Sequence, residues 1–156
     1  KKEIDMHRLF KNLKKDSDLI SGKLHNIDIS IKKNITLLGH EKEIYSAFLN
    51  LISNAIRYTH EGGSINVRWN MKDQKPYFEV KDSGIGIDEK LIPRLTERFY
   101  RINADRSRNT GGTGLGLSIV KHICIRHQAQ IEITSQIGKG SQFKIIFPQE
   151  RLSLKK

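Results

Sequence analysis

Gly111-Gly112-Thr113-Gly114-Leu115-Gly116-Leu117-Ser118-Ile119-Val120 carries four glycines directly into a segment with the apolar spacing of a helix. Glycine tolerates positive φ and lets backbone N–H groups come close to a ligand. The helix that follows, expected over roughly 115–127, adds unpaired N–H groups and the positive end of its dipole. Such a pairing predicts a cradle for phosphate oxygens. Upstream, Asp82-Ser83-Gly84-Ile85-Gly86 follows an alternating apolar run that ends at Val80. Six of the twelve glycines fall between residues 84 and 116, which points to one ligand-facing surface rather than scattered turns.

Outward from these loops the periodicities define the remaining elements. Met6, Leu9, Phe10 and Leu13 recur at helical spacing until Gly22 offers a stop, so an amphipathic helix opens the chain. Ile27, Ile29 and Ile31 alternate with Asp28 and Ser30 as in a half-buried strand, and residues 35–38 form a short second one. The strongest helix signal spans 42–58, where Ile44, Phe48, Leu51, Ile52, Ala55 and Ile56 make one apolar face. Two hairpins are expected, one pairing 64–70 with 77–81 across a turn at 73–76, the other pairing 131–135 with 142–148 around Gly138-Lys139-Gly140. Between 83 and 113 the periodicity fails, leaving helical turns near 89–91 and 93–99; a long irregular segment in a compact domain is usually functional or mobile. Hairpins with helices between them predict a two-layer α/β sandwich, a mixed, mostly antiparallel sheet covered by helices on one face.

The bulk composition narrows the class. A chain of 156 residues with 37% hydrophobic and 29% charged residues reads as one soluble domain with a single core. No apolar run approaches the roughly eighteen residues of a membrane span, and the lysine-rich start is no signal peptide. The single Cys124, set among Ile119, Val120 and Ile123, reads as a packing thiol in a reducing, cytoplasmic setting. The net charge of +11 is largely dispersed over Lys1, Lys2, Lys11, Lys14, Lys15, Lys155 and Lys156, and no nucleic-acid motif accompanies it, so no nucleic-acid partner is expected.

Several residues have the right chemistry for a nucleotide. Asn50 and Asn54 stand four apart and share one helix face, with Arg57 and Tyr58 a turn further on. On spacing alone they are either hydrogen-bonded helix-edge residues or hard oxygen donors for Mg²⁺. Asp82, where a strand gives way to a glycine loop, is either a turn former or a ligand group. Arg94, Arg98, Arg101, Arg106 and Arg108 fall in a stretch, 91–113, without lysine. Arginine is the better fork for phosphate, though a solvated loop would also accommodate them. Gly138-Lys139-Gly140-Ser141 is a hairpin turn and not a P-loop end, because the earlier glycine and the strand-to-helix context are missing. No histidine, cysteine or carboxylate spacing matches a zinc site.

Taken in order, Asn50-Leu51-Ile52-Ser53-Asn54-Ala55-Ile56-Arg57-Tyr58-Thr59, Asp82-Ser83-Gly84-Ile85-Gly86-Ile87, Arg98-Phe99-Tyr100-Arg101 and Gly112-Thr113-Gly114-Leu115-Gly116-Leu117 resemble the N, G1, F and G2 boxes of sensor histidine kinases. The resemblance covers the whole chain, 1–156, as the catalytic and ATP-binding domain, with an opening helix over 1–22 and an ATP lid over 91–113. It implies the Bergerat sandwich shared with gyrase B, Hsp90 and MutL. Residues 92–101 and 106–112 resemble most the phosphate-regulon sensor kinases, and Thr96 stands where many members place the first phenylalanine of the F box.

The resemblance further implies Mg²⁺ and ATP as cofactors. Asn54 would coordinate the Mg²⁺ and Asn50 support the phosphates. Asp82 would accept from the adenine amino group, Tyr58 lie against adenine, and Arg57 stand near the phosphates. Gly84 and Gly86 would shape the base pocket, Arg101 would reach the γ-phosphate, and Gly112, Thr113, Gly114, Leu115 and Gly116 would hold the phosphate chain. Related ATPases carry a water-activating glutamate where this chain has Asn50, so slow hydrolysis and a separate nucleophile are expected. That nucleophile would be a histidine on a dimerising helical hairpin; no motif of that kind occurs in these residues. The implied partners are that hairpin and a PhoB-like response regulator, in a homodimeric inner-membrane sensor whose cytoplasmic fragment alone is monomeric. The rival readings are a free-standing ATPase or serine kinase of the same fold, and a basic interaction module.

Overall fold

The computed structural model of the chain describes residues 2–95 and 116–154. Asp5 opens the first helix, α1 (Met6–Ser21), by accepting the Arg8 N–H at 3.0 Å. Gly22 closes it in the left-handed conformation, φ 61°, donating its N–H to Asp18 O. The second helix, α2 (Glu41–Arg57), has no side-chain cap but carries Glu41 and Glu43 in its first turn and Arg57 in its last, the arrangement that suits the helix dipole. The third, α3 (Gly116–Arg126), is the helix expected after the glycine cradle, and its described part begins at the last glycine of that run.

The main sheet has five strands. They are β2 (Asn26–Ile31), β4 (Ser64–Lys72), β5 (Lys75–Asp82), β6 (Gln130–Gln136) and β7 (Gly140–Ile146), in the order β2-β4-β5-β7-β6. All pairs are antiparallel except β2 with β4. A separate three-stranded sheet contains β1 (Lys2–Glu3), β3 (Ile35–Gly39) and β8 (Leu152–Leu154). The two consecutive strands β2 and β3 therefore do not pair with each other. Helix α2 connects β3 to β4, and β2 joins the main sheet at its edge in parallel.

The turn between β4 and β5 is tighter than the 73–76 expected: Asp73 and Gln74 both adopt positive φ, 53° and 63°, the geometry of a two-residue hairpin whose twist matches its strands. The helical turn near 89–91 extends as a 3-10 helix over Glu89–Arg94, Pro93 included, and the second turn expected at 93–99 falls mostly outside the described residues.

One face of the main sheet is covered. Ile65, Val67 and Trp69 of β4, Phe78 and Val80 of β5 and Phe143 and Ile145 of β7 are all buried, while Asn66, Arg68 and Lys81 between them are exposed. Helices α1 and α2 supply the other half of the core. At its centre the Phe48 and Phe78 rings stack at 3.7 Å between centroids and 3° between planes, with Phe10, Trp69 and Phe147 around them. The Trp69 indole N–H is satisfied by Ile35 O at 3.1 Å. Cys124 is buried and its thiol is pushed up to about 12 by that burial, as a packing residue should be.

Helix α3 is tied to α2 through His127, which is fully buried. Its Nδ1–H donates to Ile123 O at 2.9 Å and its Nε2 accepts from the His40 N–H at 3.2 Å, so the ring is neutral with the proton on Nδ1. Burial holds its pKa below 6.5, Arg151 and His40 lower it further, and Glu43 and the Ile123 carbonyl oppose them. Because the folded value is depressed, stability is fully present above the unfolded value near 6.5 and is lost as pH falls through the folded one. Denaturant midpoints should decrease on going from pH 7 to pH 5, with the His127 ring still neutral by ¹⁵N NMR just below pH 6.5. A His127 ring that gains its second proton at or above pH 6.5 would show this account of the fold's acid sensitivity to be wrong.

Candidate functional site

The alternation of β5 determines the chemistry at its end. Pro76, Phe78, Val80 and Asp82 share the covered face of the sheet, so the strand's last residue puts a carboxylate where the preceding ones put apolar side chains. Asp82 is 6% exposed. Its register partner on β7 is Ser141, whose own partner on β6 is Ser135. Three adjacent strands thus give the apolar face one polar end.

Among the described residues the Asp82 carboxylate is held through a single oxygen. Oδ1 accepts the Gly84 N–H at 2.8 Å and the Ser141 N–H at 3.3 Å, so both bonds leave Oδ2 able to accept from a ligand. Burial raises its pKa above 3.8, and the two backbone N–H bonds offset part of that rise. Ser135 Oγ donates to Gly140 O at 3.0 Å and accepts the Ile87 N–H at 2.7 Å; Ser141 Oγ, 2.7 Å away, is therefore the donor of their shared bond. This serine pair pins the loop after Gly86 to the β6–β7 hairpin. Sequence reasoning missed both serines, because a turn reading of Gly140-Ser141 says nothing about which strand lies opposite.

The glycines of this region allow close backbone approach. A Cβ on Gly84 would stand 2.3 Å from Tyr58 O, and the neighbouring Ile85 N–H donates to that same carbonyl at 3.2 Å. The Gly138 N–H donates to Ile85 O at 2.8 Å, which stitches the 84–86 loop between the end of α2 and the β6–β7 turn. Gly140, at φ +90°, would bring a Cβ to 2.0 Å from Asp82 O. Gly140→Ala should therefore destabilise the fold by roughly 3 kcal/mol or more, combining left-handed strain with a backbone overlap. Urea denaturation checks this, with Gly138→Ala as the comparison, because position 138 has the same φ sign but open space around it.

Helix α2, whose cap residue Tyr58 accepts the Ile85 N–H of the loop after Asp82, presents Asn50 and Asn54 on one half-buried face, with Arg57 as its last residue. The Asn50 Nδ2 donates to Ser46 O at 2.8 Å, one turn earlier. That bond fixes the amide and leaves its Oδ1 beside α3, where a Cβ on Gly116 would lie 3.2 Å away. The described start of α3 therefore meets α2 at the asparagine face. Asn54 lies one turn nearer Tyr58 on that face. Among the described residues no three His, Cys, Asp or Glu side chains cluster to hold a metal. Two amide oxygens suit a hard cation that brings most of its ligands with it as water and phosphate. Arg101, Gly112, Thr113, Gly114 and Leu115, together with Arg98, Arg106, Arg108 and most of the 91–113 stretch, lie outside the described residues; Arg94 ends the 3-10 helix and is exposed.

The far end of α2 is anchored by a residue outside every motif. His25 Nε2–H donates to Thr59 O at 2.7 Å, and its Nδ1 accepts from Ser21 Oγ at 3.0 Å while the His25 N–H donates back to that hydroxyl at 3.1 Å. The Thr59 hydroxyl in turn donates to Ala55 O at 2.7 Å. The end of α1 is thereby joined to the end of the asparagine helix.

Residues 39–151 match the family described as histidine kinase-, DNA gyrase B-, and HSP90-like ATPase. The chain is 46% identical over 147 residues to the phosphate regulon sensor protein PhoR of Pseudomonas aeruginosa, a match covering 94% of this chain and 33% of that protein. It is 40% identical to the phosphate regulon sensor protein PhoR of Haemophilus influenzae, covering 95% and 35%. The chain thus spans about a third of the length of these curated relatives. Its fold is similar to that of the mycobacterial sensor histidine kinase MprB, with a TM-score of 0.82, 22% identity and coverage of 94% and 96%. It is also similar to full-length ShkA in complex with AMPPNP, with a TM-score of 0.78, 23% identity and coverage of 99% and 31%.

Proposed function

Because the chain belongs to the histidine kinase-, DNA gyrase B-, and HSP90-like ATPase family, we propose that it is the catalytic, ATP-binding part of a sensor histidine kinase. It binds Mg-ATP and presents the γ-phosphoryl group to a histidine borne elsewhere in the full protein. The observation that carries this reading is the buried Asp82, bonded through Oδ1 and without a partner on Oδ2 among the described residues, on a loop that meets the end of the asparagine helix at Tyr58 O. A carboxylate there accepts the adenine amino group, whereas guanine would set a carbonyl against it. Bound AMPPNP in ShkA and the sensor-kinase names of the relatives support the same reading.

Each residue then has a part. Asn54 supplies a hard oxygen to Mg²⁺, which when bound neutralises charge on the phosphate chain. Asn50 faces the phosphates beside Gly116, Tyr58 flanks the base, and Arg57 stands toward the phosphates. Arg101 and residues 112–115 take their phosphate roles from the resemblance. Asn50 is an amide anchored by Ser46, so it cannot take a proton from water, and hydrolysis is slow. Catalysis rests on positioning and charge neutralisation until the acceptor histidine arrives. The partners are that phosphoacceptor hairpin and a PhoB-like response regulator, in phosphate-regulon signalling. The chain is the cytoplasmic portion of a membrane-anchored homodimer; among the described residues no helix is long and apolar enough to cross a membrane.

Adding the acceptor separately tests the proposal. With γ-³²P-ATP and Mg²⁺ the chain alone should remain unlabelled. A purified helical hairpin carrying the phosphoacceptor histidine of the Pseudomonas relative should gain an acid-labile, base-stable phosphate. Rapid turnover by the chain alone, or label on a serine of an added protein, would favour the free-standing members of the family.

A further inference from the structure

The edge strand β2 has one side of its backbone unused. Asn26 donates to Gly63 O at 2.9 Å and Lys32 to Trp69 O at 2.8 Å, so the even-numbered residues face β4. In a parallel ladder the alternate residues, Ile27, Ile29 and Ile31, then direct their N–H and C=O groups away from the sheet. Among the described residues this outer edge meets only the Lys14 ammonium, 3.3 Å from Ile27 O. An open edge of this kind is a template for another strand unless something blunts or occupies it.

A groove of about 600 Å³ runs along that edge, between β2, the first half of α1 and the 32–36 segment. Its floor is apolar: Phe10 and Ile35 are buried, Ile27 and Ile29 half-buried, and Ile31 is 41% exposed. Its charged groups are Lys11, Lys14, Lys32 and Lys33 against Asp5 and Asp28, with His7 at the rim. Asp5 is engaged as the cap of α1 and Lys14 pairs with Asp18 at 3.1 Å, but among the described residues no carboxylate pairs with Lys11, Lys32 or Lys33.

We propose that this groove is a docking site for an extended, acidic segment of a partner protein, added as a strand to the outer edge of β2. The open ladder asks for a peptide backbone, the floor for apolar side chains at every second position, and the lysine rim for carboxylates between them. Six residues of β2 offer a length of about 20 Å, enough for three alternate side chains to reach the floor. The groove's lining contains none of the proposed nucleotide residues, so occupancy and ATP binding can be measured separately.

The test uses the chain with a fluorescein-labelled octapeptide alternating valine and glutamate, followed by fluorescence polarisation. Saturable binding that weakens with salt is expected. The same peptide N-methylated at alternate residues should not bind, because it cannot form the ladder. Lys32→Glu with Lys33→Glu should weaken binding at least about tenfold through like-charge opposition. Ile29→Pro should abolish it by removing an outward N–H, at no loss to the β4 ladder. Circular dichroism and binding of an ATP analogue confirm that each variant is folded. Binding that tolerates N-methylation and both substitutions overturns the proposal. So does an absence of saturable binding, binding of oleate with no peptide binding, or a concentration-dependent dimer through β2 in sedimentation.

Discussion

Asp82→Asn is expected to weaken adenine-nucleotide binding about tenfold to a hundredfold while leaving the fold at least as stable as before. The asymmetry follows from how the carboxylate is held. Oδ1 accepts both the Gly84 and the Ser141 N–H, and an amide oxygen in its place can keep both bonds. The other position becomes an NH₂ group, donor against the donor of adenine. A charge-assisted bond worth about 1.5 to 3 kcal/mol is lost there.

The fold, by contrast, is relieved of a buried charge. Because the folded pKa of Asp82 is raised, its stabilising contribution is present below the unfolded value near 3.8 and is lost as pH rises through the folded value. At neutral pH the ionised group costs the fold something, which asparagine removes. Binding has the opposite sign: it needs the ionised carboxylate and should fade as pH falls through the raised pKa. Calorimetry with a non-hydrolysable ATP analogue in EDTA, beside thermal unfolding of the same samples, measures both. An Asp82→Asn protein that binds normally, or one that loses binding only because it unfolds, would refute the adenine assignment.

Asn54→Ala should show the complementary pattern, abolishing the Mg²⁺-dependent part of nucleotide affinity and reducing phosphoryl transfer to an added hairpin by at least about a hundredfold. A metal that neutralises developing charge is worth several kcal/mol, and Asn54 is the proposed protein oxygen for it. Its side chain is half-buried on the surface of α2, so truncation leaves the Phe48, Leu51 and Ala55 packing intact. Affinity in EDTA should then be nearly unchanged, and only the increment on adding Mg²⁺ should vanish. If the increment persists in Asn54→Ala and disappears in Asn50→Ala, the two asparagines have exchanged roles.

The parts of this molecule that were legible in the sequence are those whose period is internal to one element. The apolar face of α2, the alternation of β4 through Ile65, Val67 and Trp69, and the stop at Gly22 all come from local spacing. Asp82 was half legible: its place before a glycine loop was evident, but its burial follows from the same parity as Phe78 and Val80, and its hold on Ser141 depends on a strand pairing 59 residues away. Such pairings leave no trace in spacing. The same reason hid the fate of β2, whose alternation predicted a strand but not that it would leave β3 and lie parallel to β4. Strands β1 and β8, two and three residues long, are too short for any period to register. His25 was missed because nothing in Leu24-His25-Asn26 distinguishes it from a surface histidine; its link to α2 depends on the approach of Thr59, 34 residues away.

The bond from Ser141 to Asp82 also sets an order in time. A ribosome delivers both asparagines, Asp82 and the glycine loop before β6 and β7 exist, yet those last strands supply the backbone that orients the carboxylate and the turn that clasps Ile85. A nascent chain ending before Gly140 holds every residue proposed to touch the nucleotide and cannot orient Asp82, so on that proposal competence for ATP arrives late, when the C-terminal hairpin docks.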